Sequence, residues 1–416
     1  MGTPPLPKPF PYFALVTLAS AVFLSVTIEM LPTGLLPQMS HELGVSESQI
    51  GLTVAVFAFT VVLTSTWISA LTRRVPRHAL IIIVLVVFSA SAVATAFAPT
   101  YPMLVASRIL GGVAHGVFWS VVAAYAAYLV PREQLGRAVS ITLGGGSLAF
   151  VLGVPLGTAL GNAVGWRASF GILAFLTLVG AGFVYRFLPR VDHLSPSPVS
   201  ASTGGIAILS DELSASLAPR RDHSVTAVVF VCIITAITMI GQYTFYTFIA
   251  PFLVRAVGLD QSAVSPALFA YGAAGAASLV LVGVYLGRRP RLGLMIGLVV
   301  LLASALSLGF LPTVVPLAIV SFFLWGLAMG LLPPLLQTRM LHAAHPRIRD
   351  TASAFYTSAF NVGIGGGALV GAIVLDRLGL RSLPFVFAGI LVLSIVLVIL
   401  SDVLLLRHPS RRVVEH

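Results

Sequence analysis

Charge is scarce in this chain. Of its 416 residues only 9% are Asp, Glu, Lys or Arg, where a soluble protein carries roughly 25%. Hydrophobic residues make up 58%, and mean hydropathy is +1.02. That balance excludes a water-soluble globular fold. The apolar runs are each about 20 residues or longer, which suits helices across a ~30 Å hydrocarbon core rather than barrel strands of ~10 residues. The single cysteine, Cys232, excludes a disulfide within the chain and a thiolate metal site. Lys8 is the lone lysine, so no Gly-Lys-Ser/Thr phosphate loop is available and the chain carries no P-loop ATPase of its own. No cleavable signal peptide is evident: Met1 to Pro11 is short and proline-rich, and the run after it is too long for an h-region. What remains is an all-α integral membrane protein, expected to need no cofactor or metal.

Twelve spans read out at 12–36, 51–71, 79–98, 103–130, 138–164, 168–188, 225–253, 263–287, 292–311, 314–340, 351–375 and 382–406. Connections are short except 189–223, a Ser- and Pro-rich stretch expected to be a linker between an N-terminal six-helix bundle (1–188) and a C-terminal one (224–416). Arginine placement predicts orientation. With the N-terminus inside, the outer loops hold Arg167, Arg255, Arg377 and Arg381, Arg108 lies within a span, and every other basic residue falls on the inner side. The positive-inside rule therefore predicts both termini in the cytoplasm, in a plasma (inner) membrane. It also accounts for a net charge of +11 without any nucleic-acid partner.

The two halves repeat at a constant offset of 214. Thr33, Pro37, Gly44 and Ser48 match Thr247, Pro251, Gly258 and Ser262. Pro76 and Arg77 match Pro290 and Arg291, Gly112 and Gly116 match Gly326 and Gly330, and Gly153, Gly157, Gly165 and Arg167 match Gly367, Gly371, Gly379 and Arg381. Six spans separate the copies, so they share one orientation, as in a parallel repeat about an axis along the membrane normal. Such an architecture places a substrate site between the halves near the midplane and works by rocking.

Acid is scarcest inside the spans. Glu29, in Val26-Thr-Ile-Glu29-Met-Leu-Pro32-Thr-Gly34-Leu-Leu-Pro37, is the one acid clearly within a span. A membrane carboxylate must be paired, protonated or wet, and it marks a functional site by default. Arg108, in span four, is about two turns from the outer end, roughly 10 Å deep, and Glu29 is at a similar depth in span one. Pairing would lower the carboxyl pKa and desolvation would raise it. Such a pair either couples protons to transport or holds spans one and four together. His115 is seven residues past Arg108 on the same face, with Trp119 below it. It suits a proton relay, a solute contact or a helix–helix hydrogen bond. Gln242, Tyr243 and Tyr246 in span seven, Gln337 in span ten and Asn361 in span eleven join Trp119 and Ser147 as candidate lining of a neutral, aromatic cavity. Asp376 and Asp402 lie near span ends and read as interfacial. Ser46-Glu-Ser-Gln49 reads as a capping box, and Asp260 as the cap of span eight.

Span five carries Gly144-Gly-Gly146 and then Gly153-Val-Pro155-Leu-Gly157-Thr-Ala-Leu-Gly161, a ridge of small residues that lets helix backbones approach. Arg74-Val-Pro-Arg77 and Arg288-Arg-Pro-Arg291 form two basic inner loops that either latch the halves or simply anchor the chain. Together these features resemble the major facilitator superfamily over the whole chain. The spacing Gly144, Gly153, Gly157, Gly161 resembles the antiporter motif of its drug-efflux members. The Glu29-to-Pro37 segment and Arg108-Ile-Leu-Gly-Gly112 resemble the twelve-helix drug:proton antiporters that include arabinose/sugar-efflux and chloramphenicol-efflux permeases. The resemblance implies export of a small organic molecule against proton entry, by a monomer that is not an enzyme. It further implies that Glu29 and Arg108 interact. The chain departs from the pattern where Ser69 and Arg73 replace Gly and Asp in the first basic loop, and where Thr158, Gly161 and Asn162 replace the motif's Pro and Gly–Gly. Many exporters of cationic drugs carry a further acid about two turns before the Glu29 position, where this chain has Ala21, Val22 and Phe23. A neutral solute fits that better. Rival readings are a proton-independent facilitator or importer of a similar solute and, from another class, a membrane sensor or enzyme.

Overall fold

In a hydrocarbon core the backbone must satisfy its own hydrogen bonds, so apolar segments of this length fold as helices. The structure, a computed structural model, describes residues 10–72, 75–131, 134–190, 223–286, 289–345 and 348–406. Arg74, Arg288 and most of the expected linker lie outside the described residues. The helices are α1 (Tyr12–Leu43), α2 (Glu47–Leu71), α3 (Arg77–Ala96), α4 (Tyr101–Leu129), α5 (Leu135–Val164) and α6 (Trp166–Phe187), then α7 (His223–Tyr246), α8 (Val264–Leu281), α9 (Pro290–Phe310), α10 (Val315–Ala343), α11 (Arg349–Leu378) and α12 (Leu383–Leu406). Each contains a stretch long and apolar enough to cross a membrane. Three depart from the expected continuous spans, α8 by running on into a π-helical turn, Val282–Leu286. In α5 a π-helical turn, Ala149–Gly153, precedes Pro155, whose missing N–H cannot serve the helical ladder. Span seven breaks after Tyr246 and resumes as Ile249–Phe252 and a π-helical turn, Leu253–Val257.

The 214-residue repeat is a repeat of structure. Among the described residues all four glycines with positive φ obey it: Gly44 with Gly258, and Gly165 with Gly379. Each ends a helix or starts the next in a backbone region that L side chains avoid. Contacts shift by the same offset. A methyl group at Gly112 would strike the carbonyl of Phe57 on α2, and one at Gly326 the carbonyl of Tyr271 on α8; Gly116 and Gly330 face the carbonyls of Val61 and Gly275 in the same way. The ridge in α5 packs on α1 in one parallel register: Gly153 on Thr27, Gly157 on Leu31 and Gly161 on Leu35, with Gly145 against the Ala19 backbone. The result is two six-helix bundles.

Twelve crossings bring both ends of the chain to one face, here the terminus face. The halves are joined on the opposite, far face. Ser48 Oγ donates to Asp376, and Arg255 pairs with Glu47. Ser265 Oγ donates to the Pro155 carbonyl at 2.7 Å, and Asn162 Nδ2 to the Gln261 carbonyl at 3.2 Å. Asp376 is exposed as expected, yet engaged across the seam. The Ser46–Gln49 capping box is present with both bonds, at 3.0 and 3.2 Å. Asp260 stands at the N-cap of the turn before α8, but without a side-chain cap bond.

Antiparallel registers show where the seam ends. Ser48 meets Asp376 and Phe59 meets Gly365, so the next turns of α2, at Leu63 and Trp67, would face Asn361 and Thr357 of α11. Leu63 and Trp67 are instead 70% and 75% exposed. The pair α5–α8 behaves alike. Phe150 and Val151 touch Gly272, whereas Ser147 and Leu148 on one side and Leu279 and Val280 on the other are exposed. The halves close on the far face and splay toward the terminus face, leaving a cleft between them.

At Gly272 a Cβ would lie 2.3 Å from the Phe150 carbonyl oxygen across this seam, and backbone cannot yield. Gly272→Leu should hold the far face open. In a Cys232→Ser, Ser265→Cys background it should raise maleimide labelling severalfold over the Gly272 parent; unchanged labelling would show that the seam closes elsewhere.

Candidate functional site

The site starts from a proline. Pro32 has no N–H, so the Ile28 carbonyl one turn earlier in α1 loses its helical partner. Arg108 of α4 replaces it. Its Nη1 donates to the Ile28 carbonyl at 3.2 Å and its Nη2 to the Glu29 carbonyl at 2.8 Å. The guanidinium also lies over the Phe57 ring of α2, 4.4 Å from the centroid, a contact worth about 2 kcal/mol when desolvated. Arg108 is 2% exposed. The expected contact between the two positions is therefore made, but to the backbone of Glu29 rather than to its carboxylate.

The Glu29 carboxyl turns instead to His115, with Oε2 3.3 Å from Nε2. His115 Nδ1 is 2.7 Å from Ser25 Oγ, and Trp119 Nε1 is 2.5 Å from His115 Nε2. Indole N–H is a donor only, so Nε2 must present its lone pair to Trp119, which places the imidazole proton on Nδ1, pointing to Ser25. A carboxylate beside an unprotonated Nε2 would meet lone pair against lone pair. The arrangement fits a protonated Glu29, whose O–H shares the Nε2 lone pair with the indole. Phe57 and Phe88 pack against the imidazole at 5.2 and 5.9 Å and help exclude water.

The second half supplies an aromatic platform. Trp325 Nε1 donates to Gln242 Oε1 at 2.6 Å, and Gln242 Nε2 donates to the Tyr271 hydroxyl at 2.9 Å. Each end of this amide makes one bond, so Gln242 positions the rings while keeping a second N–H and a second lone pair. Tyr246 packs on Tyr271 at 5.1 Å and on Tyr243 at 6.1 Å, and reaches Phe150 of the first half at 6.4 Å. Trp119 is half-buried, while Ser147 and Gln337 are exposed. Asn361 is half-buried and donates to the Thr357 carbonyl of its own helix at 3.0 Å. Ser147 and Asn361 lie on the helix faces that part toward the terminus face. Trp119, Tyr243 and Tyr246 stand with the buried cluster at its head, and Gln337 is not brought to that cluster by any bond described.

Ser25, Phe57, Tyr271 and Trp325 belong to the site although the sequence alone did not single them out. Ser25 had a signal, one helical turn before Glu29 on the same face; the rings had none beyond their number. Asp402, near the end of α12, is half-buried and binds Arg291 at 2.6 Å and Arg339 at 2.5 Å, so the second basic loop is tied to α10 and α12 within its own half. Arg77, its counterpart, begins α3. Among the described residues no three His, Cys, Asp or Glu side chains gather as a metal site requires.

A two-bundle helical scaffold with a cleft between its halves is the architecture of a secondary transporter, not an enzyme. The model of the Major Facilitator Superfamily matches residues 18–231 and again 231–414, and the chain belongs to that family. It is 30% identical over 401 residues to a probable sugar efflux transporter of Mannheimia succiniciproducens, covering 96% of each chain. It is 28% identical over 366 residues to a probable sugar efflux transporter of Helicobacter pylori, covering 88% of this chain and 89% of the other. Among solved structures it resembles a bacterial homolog of the human lysosomal transporter Spinster in an inward-facing, occupied conformation, with a TM-score of 0.76 at 16% identity over 97% and 100% of the two chains. It also resembles the peptide transporter POT in complex with sulfate, with a TM-score of 0.73 at 14% identity over 95% of each.

Arg108→Met should destabilise the protein, each lost charged hydrogen bond costing roughly 1.5–3 kcal/mol. Pro32→Ala in the same chain restores an N–H for the Ile28 carbonyl and should recover part of that loss. Thermal unfolding, read through exposure of Cys232, checks both; no recovery would mean that the Ile28 bond is incidental.

Proposed function

We propose that the chain exports a small neutral organic solute, a sugar or a sugar-sized drug, across the plasma (inner) membrane in exchange for protons. The observation that carries this reading is the buried Glu29–His115–Trp119 cluster beside Arg108, facing an aromatic platform at the head of a cleft. Glu29 is the proton carrier, His115 the relay, and Arg108 the fixed cation that keeps the carboxyl from being replaced at no cost. Tyr243, Tyr246 and Trp119 offer ring faces and polar tips, and Ser147, Gln337 and Asn361 neutral hydrogen bonds, as a polyhydroxylated solute requires. The relatives named as probable sugar efflux transporters support the solute class. The arginine distribution supports cytoplasmic termini, so the open cleft faces the cytoplasm. The glycine ridge Gly153, Gly157 and Gly161 holds α5 against α1 so that the first half moves as one body, and Pro155, whose carbonyl accepts from Ser265, stands at the seam on which the halves rock. Arg77 and Arg291, at the starts of α3 and α9, stand on the side of the cytoplasmic opening. A monomer contains all of these parts.

The sign of the pH effect follows. An ionised Glu29 has given up its proton, so raising cytoplasmic pH favours solute binding and lowering it opposes binding. In acidified everted vesicles, addition of L-arabinose, lactose or chloramphenicol in turn should collapse the proton gradient with the wild type and not with Glu29→Gln. A labelled compound that crosses with no proton signal in either protein would replace antiport by facilitated passage.

A further inference from the structure

Two groups approach one lone pair. Trp119 Nε1–H lies 2.5 Å from His115 Nε2, and Glu29 Oε2 lies 3.3 Å from the same atom. Resting on the antiport reading, we infer that Trp119 is a positioning residue that makes solute occupancy and protonation of Glu29 mutually exclusive. With Glu29 protonated, Nε2 is unprotonated and accepts from both donors, and the indole N–H is consumed. With Glu29 ionised, the stable partner for the carboxylate is an Nε2–H, which cannot face an indole N–H. Trp119 then releases its donor toward the cleft, where its half-buried ring stands.

The proton path balances. The Glu29 O–H bond breaks as an Nε2–H bond forms, giving a transient imidazolium beside a carboxylate. The Nδ1–H bond then breaks as that proton passes to the Ser25 hydroxyl, 2.7 Å away, whose own O–H proton passes on to water admitted when the cleft opens. One proton leaves the cluster, and His115 ends neutral in its other tautomer. A solute oxygen that accepts the indole N–H favours this second state, and a proton arriving at Glu29 withdraws the donor from the solute. The other titratable or charged groups facing the carboxyl are Arg108, fixed on the α1 carbonyls, and Tyr243 of α7, which stands close enough to feel its charge. From α2 and α3 the imidazole meets the rings of Phe57 and Phe88. A solute able to exploit the switch carries an oxygen acceptor next to an apolar face that stacks on indole, which describes a pyranose or furanose ring.

The test reads the tautomer of His115 by nitrogen NMR on the full-length protein with ¹⁵N-labelled histidine, the signal assigned by its loss in His115→Gln. In the wild type the protonated nitrogen should move from Nδ1 at low pH to Nε2 at high pH. In Glu29→Gln the amide donates at every pH, so the Nδ1–H tautomer should persist throughout. In Trp119→Phe, which keeps a ring but loses the donor, the Nδ1–H tautomer is no longer favoured and the switch should move to lower pH. A tautomer that stays fixed in the wild type, or a switch that Trp119→Phe does not move, overturns this inference and leaves antiport standing. Vesicles that show no solute-driven proton movement overturn the antiport reading whatever the tautomer does.

Discussion

A guanidinium and a carboxyl group buried side by side in a membrane must each find a partner or give up charge. That constraint organises the first half of this protein. Arg108 meets it with backbone carbonyls, one of them freed by Pro32, and with the face of Phe57. Both Nη groups of the arginine are bonded without the Glu29 carboxylate, its Nε alone being left without a partner, and on the antiport reading the acid is left to bind and release a proton. A direct ion pair would have made Glu29 a fixed anion whose neutralisation leaves a buried cation unpaired, at a cost of several kcal/mol. The proline that weakens α1 thus also frees one of the two carbonyls that hold Arg108.

The same scaffold is used twice with different contents. The residue 214 positions after Glu29 is Tyr243, and those after Arg108 and His115 are Phe322 and Met329. Phe57 corresponds to Tyr271, so the cation over a ring in the first half becomes two stacked rings, Tyr271 and Phe322, 5.0 Å apart in the second. Backbone contacts through Gly112 and Gly326 stay the same. Duplication kept the close approaches that set helix geometry. The side chains near the cleft diverged into a half that buries an acid, an arginine and a histidine and a half built of aromatic rings; under the antiport proposal, one rocking motion would expose both to the same side at once.

Most of the fold was legible in the sequence because membrane physics leaves few alternatives. Long apolar runs must be helices, and constant-offset glycines and prolines mark the positions where a side chain would collide or a ladder bond is missing. The breaks were not legible. The π-helical turn before Pro155 and the interruption after Tyr246 depend on what packs against them. In the site, Glu29, Arg108, His115 and Trp119 stood out because polar groups are rare in apolar runs. Their partners did not follow from rarity. Nothing in the spacing said that Arg108 would choose carbonyls, that Gln242 would bond to Trp325 and Tyr271, or that Asp402 would bind Arg291 and Arg339. Each of those depends on the distance between helices far apart in the chain. The cross-seam bonds of Glu47 and Asp376 were hidden for the same reason, since both acids read locally as helix-end residues.

The central claim is that solute and proton move in opposite directions through one cluster. The flux-reversal point in proteoliposomes measures this most directly. With L-arabinose gradients set against an imposed pH difference, the account predicts that net sugar flux vanishes at a gradient that shifts with the pH difference. For one proton per sugar the shift is tenfold per pH unit, the free energy of one proton crossing. A reversal point fixed at equal sugar concentrations whatever the pH difference would contradict it.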